Sequence, residues 1–194
     1  MLAGVVVGTP CPSIAEQPQT GMFTASFHRD IDDPWRRMEP IRIGPMSRWM
    51  REPDGYVTIA QDSQPVARID AYAECEGAFL ELIVWRATVV FGWSDVVHLV
   101  DPVARRNQSV ACDGYFGHLY PLDSQLLIAS ASELICISAE WKEIWRRGNL
   151  GVDGVVVNSV SDGTIEGSGE WDPPGGWRPF RLDSETGDYP VDAG

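Results

Sequence analysis

Residues 155–171 constrain the fold more than any other stretch, because two runs of alternating side chains flank the dipeptide Asp162-Gly163. Such a dipeptide between alternating runs is a strong signal for a two-residue β-hairpin turn. Counting outward from the turn predicts the antiparallel pairs Ser161–Thr164, Val160–Ile165, Ser159–Glu166, Val157–Ser168 and Val155–Glu170. This register puts Val156, Val160 and Ile165 on one face, and Val157, Ser159, Glu166 and Ser168 on a more polar face that meets solvent or a partner.

Short apolar runs that end at turns recur from residue 55 onward. Strands are predicted over residues 56–60, 66–72, 79–91, 96–100, 126–128 and 134–137. Nineteen Gly and fourteen Pro suit many short strands better than long helices. Residues 89–100, 126–137 and 155–166 form three weak strand–turn–strand copies, alike mainly in apolar pattern. The expected fold is mainly β: an antiparallel meander, a two-sheet sandwich or a partial propeller-like sheet, with at most one short helix.

The one helix candidate covers residues 138–147. It begins with a serine that could cap a helix, and Arg146 and Arg147 stand near its end, where basic residues are favoured. Trp141 and Trp145 would share one helical face because they are four positions apart. A strand that ends in a loop is the competing prediction, since Trp and Ile fit either structure.

The length of 194 residues suits a single domain. Residues 1–22 are predicted to be a flexible arm, and residues 23–194 to form one β-rich domain. The first part of this domain, residues 23–54, is predicted to be irregular because four prolines interrupt it. The apolar start of the chain is short for a signal peptide. No stretch approaches the roughly 20 apolar residues of a membrane span. A cytoplasmic protein that does not contact membranes is therefore expected.

Negative charge is the clearest global property of the sequence. The formal net charge is −13, and residues 151–194 hold nine acidic residues against two arginines. Such a field disfavours nucleic acid and favours a basic protein partner. The plainer explanation is that acidity serves solubility alone.

No pattern in the chain identifies a metal site, a cofactor site or a catalytic centre. The cysteines and histidines are widely spaced and form no zinc pattern: Cys11, Cys75, Cys112, Cys136, His28, His98 and His118. His98 alternates with apolar residues in a strand, which favours a buried or edge imidazole over a ligand. The cysteines are interpreted as free thiols, and neither a cofactor nor a metal is expected.

Two glycines around Ser168 resemble half of a nucleophile elbow. That motif belongs at a strand–helix turn, whereas Gly167-Ser168-Gly169 falls in a predicted hairpin strand. The glycines are better interpreted as positions where backbone or an aromatic ring approaches closely.

The candidate binding site is the stretch Gly-Glu-Trp-Asp-Pro-Pro-Gly-Gly-Trp at residues 169–177. It supplies Glu170, Trp171, Asp172 and Trp177, and Glu166 lies just before it. A Pro-Gly centre suits a type II turn, with both tryptophans beside it. One hypothesis is a structural aromatic clasp; the other is an aromatic anchor with an acidic rim, suited to an Arg- or Lys-rich surface.

The segments 149–157 and 162–180, which read NLGVDGVVV and DGTIEGSGEWDPPGGWRPF, resemble a family of small uncharacterised bacterial proteins. The resemblance covers about the last third of the chain. It implies no activity and no catalytic residue.

The sequence is therefore compatible with three functions. The first is a non-enzymatic, acidic binding protein of the bacterial immunity type, which neutralises a basic toxin by covering its surface. The second is a carbohydrate-binding or glycoside-hydrolase-like domain built on Glu170, Asp172, Trp171 and Trp177. The third is a structural domain of an assembly, which would present a large apolar patch.

Overall fold

The computed structural model describes residues 23–73, 79–171 and 175–190. The predicted N-terminal arm, residues 1–22, lies outside these ranges. The strands in chain order are β1 (Phe23–His28), β2 (Pro40–Ile43), β3 (Gly55–Gln61), β4 (Gln64–Ala71), β5 (Leu80–Trp85), β6 (Thr88–Trp93), β7 (Val96–Asp101), β8 (Arg106–Ala111), β9 (Phe116–Pro121), β10 (Gln125–Ser130), β11 (Leu134–Ser138), β12 (Glu143–Arg147), β13 (Val155–Ser161), β14 (Thr164–Trp171) and β15 (Gly176–Asp183). Helical structure in the described residues consists of two 3₁₀ turns, Trp35–Arg37 and Met46–Arg48.

Four sheets follow one another along the chain. Sheet I has the strand order β1-β3-β4-β2, sheet II β5-β6-β7-β8, sheet III β12-β11-β10-β9 and sheet IV β13-β14-β15. Neighbouring strands pair antiparallel, except that β2 lies parallel to β4. Sheets II to IV are therefore simple meanders, and the predicted mainly β fold class is confirmed.

Each pair of successive sheets packs face to face over its own apolar cluster. Ile59 and Phe91 are buried between sheets I and II, Leu99 and Ile128 between II and III, and Ile165 packs in the cluster between III and IV. The first strands of the sheets, β1, β5, β9 and β13, contact one another in sequence along one edge of the stack. Sandwich-like packing is thus combined with the placement of first strands found in propellers.

The two outermost faces of the stack are polar. On β1 the alternate residues Thr24, Ser26 and His28 face away from the cluster that holds Phe23. On β14, Glu166 and Ser168 face away from the cluster that holds Ile165. By contrast, all six residues of β6 are buried, because sheet II is covered on both sides. The end sheets therefore close off the apolar core, as capping repeats do in repeat proteins.

Three secondary-structure predictions need correction. Residues 23–54, expected to be irregular, supply β1 and β2. The run 79–91, predicted as one strand, is two strands, β5 and β6, joined by a turn at Arg86, whose φ is +57°. The helix predicted over 138–147 is instead a turn followed by β12; the competing prediction was right to place a strand here, but the loop precedes the strand and does not end it. Trp141 and Trp145 enter different apolar clusters rather than sharing a helical face.

The hairpin predicted over residues 155–171 is present, with one change of register. Ser161–Thr164, Val160–Ile165 and Ser159–Glu166 pair as predicted. A β-bulge at Asn158 then shifts the pairing, so that Val157 faces Gly167 and Val155 faces Gly169. The predicted pairs Val157–Ser168 and Val155–Glu170 are therefore wrong. The bulge also turns Val155 and Val157 into the apolar cluster, which leaves Val156 on the opposite face.

The weak internal copies have a partial structural counterpart. Residues 89–100 and 126–137 cover the second and third strands of sheets II and III, whereas 155–166 covers the first and second strands of sheet IV.

No helix in the described part of the chain has the length and apolar character needed to cross a membrane.

Glu133 provides a stability test within sheet III. Its buried carboxylate accepts 2.7 Å hydrogen bonds from Arg146 Nη1 and from the backbone N–H of Asp113. We expect Glu133→Gln to lower the free energy of unfolding by about 1–2 kcal/mol, since both bonds lose their charged acceptor. Urea denaturation measures the change. Glu143→Gln is the control, because that exposed carboxylate pairs with the same Arg146 and should matter by less than about 0.5 kcal/mol.

His98 is buried in β7, as predicted, and makes stability depend on pH. Its Nδ1 lies 2.9 Å from Ser109 Oγ, and burial lowers the pKa of His98 from 6.5 to about 4. The unfolded chain therefore binds more protons between these pKa values, so the contribution to stability is complete above pH 6.5 and is lost as pH falls toward 4. We expect a loss of about 2 kcal/mol between about pH 7 and pH 5.

The variant His98→Asn isolates this contribution from the titration of carboxylates. Urea denaturation of both proteins across the same pH range should show a shallower pH slope in His98→Asn. Equal slopes would show that His98 does not carry the dependence.

Candidate functional site

A surface pocket of about 230 Å³ forms where the first strands of three successive sheets begin. Phe79 directly precedes β5, Tyr115 directly precedes β9 and Gly154 directly precedes β13, and these successive first strands contact one another, so the three positions meet at one pocket. Trp177 and Glu170 complete the pocket from the hairpin of sheet IV, where they form a cross-strand pair. The pocket therefore joins residues from sheets II, III and IV.

Aromatic rings form one wall of this pocket. Phe79 and Tyr115 stack with ring centroids 5.6 Å apart, and the His118 ring lies 5.7 Å from Phe79. The Trp177 side chain, 52% exposed, lies at the pocket and keeps much of its surface open to solvent. Exposed aromatic surface at a concave site is available to stack on a ligand.

Two carboxylates, Glu170 and Asp153, line the same pocket. The Tyr115 hydroxyl lies within hydrogen-bonding distance of the backbone oxygen of Asp153 and 3.2 Å from its Oδ1. Burial, followed by the charges of Asp153 and Glu170, raises the pKa of Tyr115 above 10.0. The phenol is therefore neutral at physiological pH, and the pocket has a net negative character.

Gly154 leaves the pocket open. A Cβ atom at this position would lie 3.4 Å from Cη2 of Trp177, 3.8 Å from Oε2 of Glu170 and 3.8 Å from the hydroxyl oxygen of Tyr115. Its φ of +156° is also one that residues with a side chain seldom adopt. Any larger residue here would occupy the space between the aromatic and acidic groups.

The structure brings together two of the five predicted site residues. Glu170 and Trp177 share the pocket, whereas Trp171 projects to the opposite face of the hairpin, where Arg178 lies 5.2 Å from its ring. Glu166 is exposed at the far end of β14 and pairs with Arg181 at 3.3 Å. Strand alternation separates Trp171 from Trp177, so the two rings do not share one groove. Asp172 and the Pro-Pro part of the predicted turn lie outside the described residues.

Sequence reasoning missed the other side of the pocket. Phe79, Tyr115, His118 and Asp153 are far from residues 169–177 in sequence. The one signal that could have identified Phe79 and Tyr115 is their position, because each stands immediately before the first strand of a repeated unit. That signal requires the unit boundaries, which the apolar pattern alone does not give.

A second cavity, of about 340 Å³, lies on the outer face of sheet I. His28, Asp30, Asp32 and Trp35 are among its lining residues, and His28 Nε2 is 3.0 Å from Thr58 Oγ1. In the described ranges, no cluster of three or more His, Cys, Asp or Glu side chains is arranged to hold a metal ion.

His98 on β7 and Ser109 on β8 form a close pair, and neither residue lines either of the two cavities. The low pKa of His98, about 4, makes this imidazole a weak general base, and its partner Ser109 lies on β8. The burial of His98 and its lowered pKa favour a structural role for the pair.

No protein-family model matches the chain, and no curated protein matches it. Among solved structures it is similar to dihydro-heme d1 dehydrogenase NirN in complex with DHE, with 17% identity and a TM-score of 0.41 over 69% of this chain and 33% of that one. It is also similar to Hsv2 of Kluyvelomyces marxianus, with 12% identity and a TM-score of 0.37 over 66% of this chain and 42% of that one. The chain thus spans less than half of either structure, and neither similarity is close enough to assign an activity.

Proposed function

We propose that this protein is a non-enzymatic, acidic binding protein of the immunity type, which neutralises a basic toxin by covering its surface. The observation that carries the proposal is the pocket in which Trp177 and Glu170 meet Asp153 and Tyr115. It combines an exposed aromatic anchor with carboxylates, the features that suit a basic protein surface.

The charge of the whole chain supports the same partner. A net charge of −13 produces a long-range field that steers a basic protein toward the acidic surface and speeds its capture. One pocket lined by a few side chains is only part of such a contact, because a stable complex buries about 800 Å² of surface on each partner. The pocket would therefore act as the anchor of a wider polar interface.

We propose that the protein is cytoplasmic, because free thiols are favoured in a reducing compartment. Cys112 and Cys136 are free, and burial raises their pKa values to about 12 and about 11. Protonated, buried thiols are poor nucleophiles, which supports a structural role for both.

The proposal is tested by affinity capture from the native cell with the intact protein as bait. We expect capture of one basic protein, weakened as salt rises, and loss of that protein's toxic activity on binding. A captured basic protein that keeps its full activity, or the absence of any basic partner at low salt, would contradict the proposal.

A carbohydrate-binding function is the second candidate, favoured by the exposed ring of Trp177 beside two carboxylates. Sugars stack on such rings and donate hydrogen bonds to such acids. The two candidates differ in their response to salt, since stacking on a neutral sugar is not screened by ions. Binding to an array of neutral glycans that persists at high salt would select this candidate.

The third candidate, a structural role in an assembly, has less support. It requires a broad apolar face, whereas the outer faces of sheets I and IV carry polar side chains such as Ser26 and Glu166.

A further inference from the structure

We infer that the pocket receives a single arginine side chain of the partner, with its guanidinium group between the aromatic wall and the two carboxylates. This inference rests on the proposed function and names the chemistry of its anchor. Three features of the pocket carry it: acids without an ion-pair partner, aromatic rings in the lining, and a small space shared by aromatic, hydroxyl and carboxylate groups.

The acids of the pocket lack an internal counterion. Among the described residues, neither Glu170 nor Asp153 forms an ion pair, whereas Glu166 is paired with Arg181 and Glu133 with Arg146. Two carboxylates that line one pocket without a cation repel each other, and their energy falls when a positive group binds there. The pocket is therefore complementary to a cation.

The aromatic rings favour the same kind of ligand. The rings of Trp177, Tyr115 and Phe79 line the pocket, and such rings attract cations to their faces. This protein already uses that contact elsewhere: the Arg178 guanidinium lies 5.2 Å from the Trp171 ring.

The mixture of groups in the pocket favours arginine over lysine. Cη2 of Trp177 and the hydroxyl oxygen of Tyr115 both lie within 4 Å of the same point above Gly154. Oε2 of Glu170 also lies within 4 Å of that point, so an aromatic ring edge, a hydroxyl and a carboxylate face one small space. A guanidinium is planar and carries five N–H donors, whereas an ammonium is a compact, strongly hydrated charge.

Titration with N-acetyl-L-arginine amide, followed by ¹H–¹⁵N NMR of the tryptophan indoles in the full-length protein, tests the inference directly. The Trp177 signal is identified by its loss in Trp177→Phe. We expect the arginine probe to shift this signal with a dissociation constant on the order of millimolar. N-acetyl-L-citrulline amide, which has the same shape without the charge, should bind at least about tenfold more weakly, and the lysine analogue several-fold more weakly.

Two variants locate the binding. Glu170→Gln should weaken the arginine probe about tenfold, while Glu166→Gln, the same change on the same strand, should leave it within about twofold. No shift of Trp177, equal binding of citrulline, or equal effects of the two variants would overturn the inference.

The outcomes also separate this inference from the proposed function. Capture of a basic toxin that is unchanged by Glu170→Gln would overturn the arginine pocket and keep the proposed function. Binding of the arginine probe with no basic protein captured would overturn the proposed function alone.

Discussion

Replacing Gly169 with alanine is expected to lower the free energy of unfolding by about 3 kcal/mol or more. A Cβ atom at this position would lie 1.6 Å from the backbone oxygen of Leu150 and 3.0 Å from Cα of Gly151. Those atoms belong to a loop held by backbone hydrogen bonds, including one of 2.7 Å from Val152 N–H to Glu170 O. The clash is therefore with backbone, which cannot move aside as a flexible side chain would.

Urea denaturation of Gly169→Ala and of Gly148→Ala measures this effect. Gly148 is the matched control, because a Cβ atom there meets no atom within 4 Å. The control should change stability by less than about 0.5 kcal/mol. A loss below about 1 kcal/mol in Gly169→Ala would show that the loop at Leu150 and Gly151 does not pack closely against β14.

Truncation of Trp177 to alanine is expected to weaken partner binding by about 2 kcal/mol or more, roughly a 30-fold rise in the dissociation constant. The ring is 52% exposed in the free protein and lines the pocket, so its removal takes away contact surface and little core packing. The free energy of unfolding should therefore remain close to that of the parent protein.

Trp171→Ala is the control for this variant. Trp171 is a neighbouring tryptophan of the same hairpin, but it faces away from the pocket and contacts Arg178. Isothermal titration of the captured partner should show near-parental affinity for Trp171→Ala. Similar losses in both variants would place the contact on the turn as a whole instead of in the pocket.

Local patterns predicted the hairpin of sheet IV because one of its faces meets solvent. Alternation between Ile165, which is buried, and Glu166, which is exposed, gives a clear period of two. The bulge at Asn158 left no such signal, since residues 155–157 before it are all valine and either register places a valine inward. Register beyond the bulge therefore depended on tertiary packing.

In sheet II, by contrast, the sequence pattern did not show where one strand ends and the next begins. β6 is buried along its whole length, so apolar residues fill both of its faces and β5–β6 read as one continuous run. Arg86, with φ +57°, is the turn residue, although arginine has no special preference for that conformation. In such a sheet, periodicity does not mark where one strand ends.

Only the part of the candidate site that is close together in sequence could be predicted. Glu170 and Trp177 were identifiable from a distinctive short stretch, and strand pairing then joined them. Tyr115 and Asp153 reach the pocket only because β9 and β13 begin at the same edge of adjacent sheets. The confirmed interpretation of Gly167 and Gly169 as close-approach positions came from residue type alone, because only glycine tolerates such contacts.

The most direct test of the account is the affinity of the captured partner for the parent protein, Glu170→Gln and Glu166→Gln, measured by isothermal titration at low salt. Both variants remove one negative charge from the same strand, so they alter the overall field equally. We expect a loss of affinity of about tenfold or more for Glu170→Gln and of less than about twofold for Glu166→Gln. Equal losses would contradict it, because they would show that general acidity, and not the pocket at Trp177, holds the partner.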